Sequence, residues 1–297
     1  MSLRDAPIGC VPILWNNVDL PDLGPEVPFR EILDELRVLG FAGCQFGRGF
    51  PEGAALADEL SSRDLRLAEL YSALPATPQG LGDGAAELAA RDLDRLVAAG
   101  GEVLVVALDG SPERDAISGR AIDGPRWPDA AFDDLARLLD DLARRAPEGR
   151  RVTFHPHTAT WIEAPDEVAS LASRLEATAA SLCLDVGHYT VGGGDPVEAI
   201  RRYGNLVTHV HAKDVDGDVL RRLRAGELEG FGGAVRERLF TELGNGVLDL
   251  AGVLAALDEI GFDGWLMAEQ DSSWLPPTAA AAVNGRILQY ATAELDR

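Results

Sequence analysis

The 297-residue sequence predicts one α/β domain, a single (β/α)8 TIM barrel spanning residues 1–297. Three observations predict this fold. Short apolar runs rich in Val, Ile and Leu alternate with amphipathic stretches, eight such runs follow one another, and no low-complexity linker interrupts them. An open dinucleotide-binding sheet is disfavoured because no strand leads into a Gly-x-Gly-x-x-Gly turn. We therefore expect no nucleotide cofactor.

The predicted strands follow in order and are separated by helical segments. They are "IGCVPILW" (8–15), "GCQFG" (43–47), "RLAELYSA" (66–73), "EVLVVAL" (102–108), "RVTFHPH" (151–157), "SLCLDVGHY" (181–189), "LVTHVHAKD" (206–214) and "GWLMAEQ" (264–270). Several helical segments between them end in Gly, which favours a left-handed helix C-cap. Residues of about 215–248, after the seventh strand, form a charged segment longer than a barrel loop needs. Since barrel active sites lie at this face, we interpret it as a lid or substrate-shaping insert rather than passive decoration.

Charge and cysteine content limit the classes of partner. Lys and Arg number 27 against 49 Asp and Glu, a net charge of -22, which disfavours nucleic acid and anionic membrane surfaces. Cys10, Cys44 and Cys183 lie in apolar runs, as is typical of reduced buried thiols. No basic leader and no apolar window of membrane-spanning length is found. We expect a cytoplasmic protein that binds a small molecule, and the sequence leaves a homo-oligomer open.

The histidines have an unusual distribution. The chain has five, and four of them form two His-x-His pairs: His155 with His157, and His209 with His211. Strand side chains alternate with a period of two, so the members of each pair share a face. A core imidazole bonded to backbone explains a single histidine. Five histidines at three adjacent strand ends, beside carboxylates, instead predict a metal site.

Three residues are predicted to converge on that metal. Asp185, His211 and Glu269 come from three consecutive strands at matching depth. A mixed set of oxygen and nitrogen donors suits Mn²⁺, Co²⁺, Fe²⁺ or Zn²⁺ better than Ca²⁺. The sequence therefore predicts one divalent metal ion at the barrel mouth.

The motifs at these strand ends resemble those of the xylose-isomerase-like barrel superfamily of sugar isomerases, epimerases and dehydratases. The resemblance rests on "LDVGHYTVGGGDP", "HVHAKD" and "LGNGVLDLAGVLAALDEIGFDGWLMAEQD". Within the superfamily, "LWNNVDLPDLG", "LGFAGCQFG" and "FHPHTATWIE" are most similar to the inosose (2-keto-myo-inositol) dehydratases. The resemblance covers most of the chain.

The resemblance implies that Asp185, His211 and Glu269 bind the metal. The isomerases and epimerases of the superfamily have a fourth ligand, a Glu at the end of the fifth strand, which pairs with the eighth-strand Glu to move a proton. Here His155 holds that position. The resemblance therefore favours dehydration over isomerisation. Whether His155 is the fourth ligand, or Glu163 reaches in from the loop, is left open.

Dehydration of a keto-polyol requires a base for the proton next to the carbonyl and help for the departing hydroxyl. We expect His157 or His188, together with Lys213, to provide both. The residues predicted to contact the substrate are Trp15, Asn16, Gln45, Arg48 and His209. The alternatives are a metal-dependent sugar or sugar-phosphate isomerase or epimerase and, in a different class, a non-catalytic sugar-binding barrel.

Overall fold

The computed structural model describes residues 3–294, and within them eight parallel strands close into one barrel. Each strand pairs with its neighbours in sequence, and the last pairs with the first. The strands are β1 (Ile8–Cys10), β2 (Gly43–Gln45), β3 (Arg66–Leu74), β4 (Val103–Leu108), β5 (Arg151–Phe154), β6 (Ser181–Asp185), β7 (Val207–Ala212) and β8 (Trp265–Ala268). Each overlaps one predicted segment, so the predicted (β/α)8 barrel is confirmed.

Helices surround the barrel. Over residues 3–294 the α-helices are α1 (Phe29–Val38), α2 (Ala54–Ser61), α3 (Ala85–Ala98), α4 (Pro112–Asp115), α5 (Asp129–Arg145), α6 (Pro165–Leu175), α7 (Val186–Val191), α8 (Pro196–Tyr203), α9 (Gly217–Arg224), α10 (Gly230–Arg236), α11 (Leu250–Glu259) and α12 (Pro277–Glu294). In that part of the chain, no helix has both the length and the apolar character that a membrane span requires.

Helix α5 shows why these segments form the outer layer. Phe132, Leu135, Leu139 and Leu142 recur at helical spacing and are buried, while Asp and Arg residues cover the opposite face. Burying each of these side chains contributes about 1.5–3 kcal/mol. The outer helices are therefore held to the barrel by one apolar stripe each.

The predicted glycine C-caps are present after three of the helices. Gly40 follows α1, Gly100 follows α3 and Gly261 follows α11, with φ angles of 80°, 72° and 69°. Residues with a Cβ rarely adopt this left-handed conformation, so glycine ends the helix there without strain.

Six of the eight predicted strands end earlier than predicted, and the fifth stops at Phe154, so His155 and His157 follow the strand rather than lie in it. The first stops at Cys10, and a 3₁₀ turn follows at Pro12–Leu14, since Pro12 has no N–H for the strand ladder. The sixth stops at Asp185, whose Oδ1 accepts a hydrogen bond of 2.7 Å from the backbone N–H of His188 and thereby begins α7. His188 consequently lies on a helix rather than a strand.

The segment after β7 is folded against the barrel. Helices α9 and α10 are joined to it by an antiparallel pair of short strands, Asp214–Val215 with Phe240–Thr241. They share an apolar cluster with α7 that includes Val191, Leu220 and Phe240. The insert is therefore packed rather than open, and its role as a lid stays a prediction.

Candidate active site

Four side chains from consecutive strand ends meet at the carboxyl end of the barrel. His155 follows β5, Asp185 ends β6, His211 lies in β7 and Glu269 follows β8. One donor atom of each lies within 4.8 Å of the others. Parallel pairing explains this convergence, because Asp185 lies opposite His211 in the ladder between β6 and β7. The structure thus brings together the three predicted ligands and His155, one of the two candidates for the fourth position.

Three of these residues share one arrangement, in which the protein uses one polar atom and leaves the other unused. Asp185 caps α7 with Oδ1, Glu269 accepts from Lys213 with Oε1 at 2.9 Å, and the Nε2 of His211 bonds to Glu69 at 2.9 Å. Among the described residues, Asp185 Oδ2, Glu269 Oε2 and His211 Nδ1 are buried without a hydrogen-bond partner.

These three unused atoms lie close to one another. His211 Nδ1 is 3.9 Å from Asp185 Oδ2 and 2.5 Å from Glu269 Oε2, and the shorter contact lacks hydrogen-bond geometry. Buried polar atoms normally have a partner. Two carboxylate oxygens and an imidazole nitrogen, with His155 Nε2 at 3.6 Å from Asp185, form a donor set that fits a divalent transition metal.

His209 lies below this group and not in the cavity. It pairs in register with Trp265, whereas His211 pairs with Met267, two residues nearer the mouth. Its side chain is fully buried, and its Nε2 bonds to Glu69. The predicted contact of His209 with substrate is therefore not seen, because the shared face of the two histidines extends down into the barrel interior.

Lys213 is buried among three carboxylates. Its Nζ lies 2.9 Å from Glu269, 2.9 Å from Asp271 and 3.4 Å from Asp185, and it donates to His188 Nε2 at 3.1 Å. Burial opposes its charge, but the carboxylates raise the pKa of Lys213 well above its usual value. Lys213 is thus an ammonium group that offsets the negative charge of the site.

The two remaining histidines, His188 and His157, differ in how many of their ring nitrogens have a hydrogen-bond partner. His188 accepts from Lys213 at Nε2, and its Nδ1 lies against Thr158, at 2.8 Å from Oγ1 and 3.4 Å from the backbone N–H. His157 donates from Nδ1 to the Thr158 carbonyl at 2.7 Å, its one side-chain hydrogen bond within residues 3–294. Its Nε2 therefore keeps a lone pair. Burial lowers the pKa of His157 to about 3, with His155 and Lys213 adding to the effect, so the ring is neutral.

A cavity of about 530 Å³ opens beside these groups. His155, His157, Glu269 and Asp271 line it, and so does Gln45. Several other lining residues are apolar: Val11, Ile13, Ala73, Leu108 and Phe231. The volume suits a small ring compound.

Three residues predicted to contact substrate line a second cavity of about 330 Å³, which shares Asp271 with the first. The 3₁₀ turn at Pro12–Leu14 redirects the chain, so Trp15 donates its indole N–H to Glu35 at 2.7 Å. Asn16 bonds to the backbone of Val27 through both side-chain atoms.

Arg48, the third of these residues, lies 3.7 Å from Glu26. None of the three lines the cavity beside the four donors. The sequence did not reveal this because the turn after β1 has no helical or strand periodicity.

Glu163, the alternative fourth ligand, lies outside the cluster of donors. Its oxygens accept hydrogen bonds of 2.7 Å from the backbone N–H groups of Gly119 and Ala159. Burial raises the pKa of Glu163 to about 7. Its geometry is that of a residue holding the loop after β5, where Ala159 has a φ of 66°.

Sequence reasoning missed Glu69 and Tyr71. Both lie in β3, and Tyr71 lines the cavity with its ring edge-on to His155 at 5.6 Å. The signal available was a carboxylate within an otherwise apolar strand, "RLAELYSAL". Such a residue is almost never fully buried unless it is paired.

Comparisons with known proteins agree with the fold and the motifs. A family model described as "Xylose isomerase-like TIM barrel" matches residues 33–289. The chain is 35% identical to the rhizopine catabolism protein MocC of Rhizobium meliloti, with 94% of this chain and 86% of that protein covered. It is 32% identical to an inosose dehydratase of Lacticaseibacillus casei, over 91% and 92% of the two chains.

Solved structures resemble the chain at lower identity. A zinc-bound IolI protein superposes with a TM-score of 0.71 at 14% identity, covering 97% of this chain and 98% of the other. An L-ribulose 3-epimerase gives 0.71 at 17% identity, over 97% and 95%. At this identity the similarity establishes the fold.

Proposed function

The chain belongs to the xylose isomerase-like TIM barrel family, and from this membership we propose that it is a metal-dependent hydro-lyase. The proposed substrate is a keto-polyol such as 2-keto-myo-inositol (inosose), which would lose a β-hydroxyl as water. The name of the Lacticaseibacillus casei relative supports this substrate class. The proposed site is the cavity beside the four buried donors.

One observation carries the proposal. A cluster of buried donors with unused atoms lies at the same cavity as His157, whose Nε2 lone pair has no partner within residues 3–294. A keto-polyol dehydratase needs these two features together, an electrophile for the carbonyl oxygen and a base for the adjacent C–H. A sugar-binding barrel needs neither.

Asp185, His211, Glu269 and His155 would hold the divalent ion. When bound, the ion supplies positive charge where the substrate oxygen becomes negative. His155 replaces the glutamate that the isomerases and epimerases carry, so Glu269 has no carboxylate partner at the fifth strand. This difference supports dehydration over a proton shuttle between two carboxylates.

His157 would accept the proton from the carbon next to the carbonyl. Its Nδ1–H is held by the Thr158 carbonyl, which fixes the ring and keeps the lone pair on Nε2. His188 stacks on it with ring centroids 3.8 Å apart. Since both nitrogens of His188 are engaged, its proposed role is to orient His157 rather than to move the proton.

Asp271 and Lys213 would assist the departing hydroxyl. Asp271 lines the cavity, and its Oδ2 lies 2.9 Å from Lys213 Nζ. Lys213 itself does not line the cavity, but Asp271 and Glu269, which it contacts, do. The pair of Lys213 and Asp271 can therefore deliver one proton to the leaving oxygen. The C–H proton then resides on His157, and water is released.

The product identifies the reaction. Protein stripped with a chelator and reloaded separately with Mn²⁺, Co²⁺ and Zn²⁺ is incubated with inosose, and the products are followed by near-ultraviolet absorption and mass spectrometry. We expect a conjugated enolic product that is lighter by one water and forms only with metal. An isomer of unchanged mass would contradict the dehydratase assignment, and product formation by chelator-treated protein would contradict the metal requirement.

A further inference from the structure

Glu69 is a carboxylate at a position where carboxylates are rarely found. It lies in the middle of β3, on the far side of the barrel from β7, and its side chain is fully buried. Removing a carboxylate from water costs several kcal/mol unless partners compensate it. The groups that contact Glu69 must therefore compensate this cost.

Both partners are histidines of β7. Glu69 Oε2 accepts hydrogen bonds from the Nε2–H groups of His209 and His211, the latter at 2.9 Å. One carboxylate oxygen faces two imidazole nitrogens, and a carboxylate oxygen is an acceptor for ring N–H groups, so the arrangement that satisfies all three atoms is the one in which both Nε2–H groups donate to Oε2.

This bond determines which nitrogen of His211 has the lone pair. An imidazole that binds a metal is neutral and has one proton, and Glu269 and Asp185 lie at 2.5 Å and 3.9 Å on the Nδ1 side of His211. With that proton held at Nε2 by Glu69, Nδ1 is the nitrogen that faces the other donors and would hold the metal. Metal-binding histidines commonly have such a carboxylate behind them.

Glu69, His209 and His211 could also be taken for a second metal site, since their donor atoms lie within 4.8 Å of one another. The contacts argue against this. Both Nε2 contacts with Glu69 are hydrogen bonds, whereas the contact between His211 Nδ1 and Glu269 is not. Protons therefore occupy the space around Glu69 Oε2.

We propose that Glu69 is a positioning residue for the metal, which fixes His211 in the Nε2–H tautomer with Nδ1 turned to the cluster of Asp185, Glu269 and His155. His209 supports it as the second donor to the same oxygen. This inference rests on the metal site of the proposed function. It assigns a role to a strand of the first half that contacts a proposed metal ligand through a side-chain hydrogen bond.

The first test measures Zn²⁺ affinity by competition with a chromophoric chelator, together with the melting temperature of the metal-free protein. Glu69→Gln keeps the shape and removes the charge, and we expect affinity to fall about 10- to 100-fold. The matched control is Asp92→Asn, a buried carboxylate bonded to Ser72 of the same strand at 2.8 Å. It should lower the melting temperature and leave affinity within twofold.

Three outcomes of this test would overturn the inference. Affinity of Glu69→Gln within twofold of wild type removes the positioning role, and so does an equal loss in Asp92→Asn. Two zinc ions per wild-type chain would place an ion at Glu69 itself. If wild-type protein binds no zinc, the proposed function fails together with the positioning role. If wild-type protein binds zinc and Glu69→Gln binds it equally well, only the positioning role fails.

A second test needs no variant and therefore does not depend on whether Glu69→Gln folds. The chain has five histidines, so long-range proton–nitrogen correlation spectra of ¹⁵N-histidine-labelled, zinc-loaded protein can resolve each ring. We expect His211 to carry its proton on Nε2 and to bind zinc through Nδ1. Zinc bound through Nε2 would contradict the inference.

Discussion

The two halves of the barrel contribute different chemistry to the same cavity. Strands β5 to β8 end in ionisable groups, and His155, Asp185, His211 and Glu269 lie there within reach of one ion. Strands β1 to β4 contribute mostly apolar side chains to the cavity, among them Val11 and Leu108, and the loops and turn after them add Asp19, Asp109 and Asp115. The same β/α unit builds both halves, so the difference lies in the residues at the strand ends.

Under the proposed function, this difference separates two tasks. The second half would carry the groups for metal binding and proton transfer, and the first half would shape the space beside them. Glu69 is the exception, since it starts in the first half and bonds across the interior to the second. If this division holds, substitutions in the two halves should change different measured quantities.

The largest effect is expected from Glu269→Gln in the second half. The change replaces the carboxylate of Glu269 with a neutral amide, and the Oε2 of that carboxylate has no hydrogen-bond partner among the described residues. Turnover should fall by more than the roughly 100-fold that loss of an outer partner of a metal ligand costs. Steady-state kinetics with inosose measures it, with the exposed Glu259→Gln as a control that keeps wild-type turnover. Unchanged turnover in Glu269→Gln would refute the site assignment.

A smaller loss, with a different signature, is expected from His157→Gln. Removing a general base lowers kcat by about 10²- to 10⁴-fold. His157 is not one of the four residues of the donor cluster, so the Zn²⁺ affinity of the variant should stay at the wild-type value. Kinetics and the chelator competition assay measure the two quantities. Loss of metal affinity together with kcat would make His157 a ligand instead of the base.

In the first half, Gln45→Ala should change substrate binding alone. Gln45 lines the cavity, and one hydrogen bond to a substrate hydroxyl is worth about 1 kcal/mol, which corresponds to a rise in KM of about fivefold. Zinc affinity and kcat should not change. A fall in kcat with constant KM would give the first half a part in the chemistry and break the division of tasks.

The smallest effect on activity is expected from Trp15→Phe. The change removes the bond to Glu35 and should lower the free energy of unfolding by about 1 kcal/mol, measured by urea denaturation. The value of kcat/KM should stay within twofold, because Trp15 lines the other cavity. A large loss of kcat/KM would show that substrate occupies that second cavity.

The fold and the convergence of donors could be predicted because both follow from local rules. Alternation along β7 puts His209 and His211 on one face, and parallel strands end at the same edge of the barrel. Asp185 and His211 lie opposite one another for this reason. The prediction that these side chains come together needed no knowledge of distant contacts.

The remaining differences between the predicted and the observed site arise from contacts between residues far apart in the sequence, which no local pattern encodes. Glu69 could be recognised as an unusual charge in β3, but its bonds to His209 and His211 depend on how the barrel closes. Trp15 is directed away from the cavity by one 3₁₀ turn, and Glu163 is held by backbone N–H groups of two separate loops. Side-chain direction in turns and loops is therefore the part that sequence leaves open.

The central claim is that β5 to β8 hold one metal ion through Asp185, His211, Glu269 and His155. Elemental analysis after dialysis against equal concentrations of Mn²⁺, Co²⁺, Fe²⁺ and Zn²⁺ without oxygen tests it most directly. Wild-type protein should retain one ion per chain, and a double Asp185→Asn, Glu269→Gln variant with retained secondary structure should hold none. Metal-free wild-type protein, or a double variant with an undiminished metal content, would contradict the account.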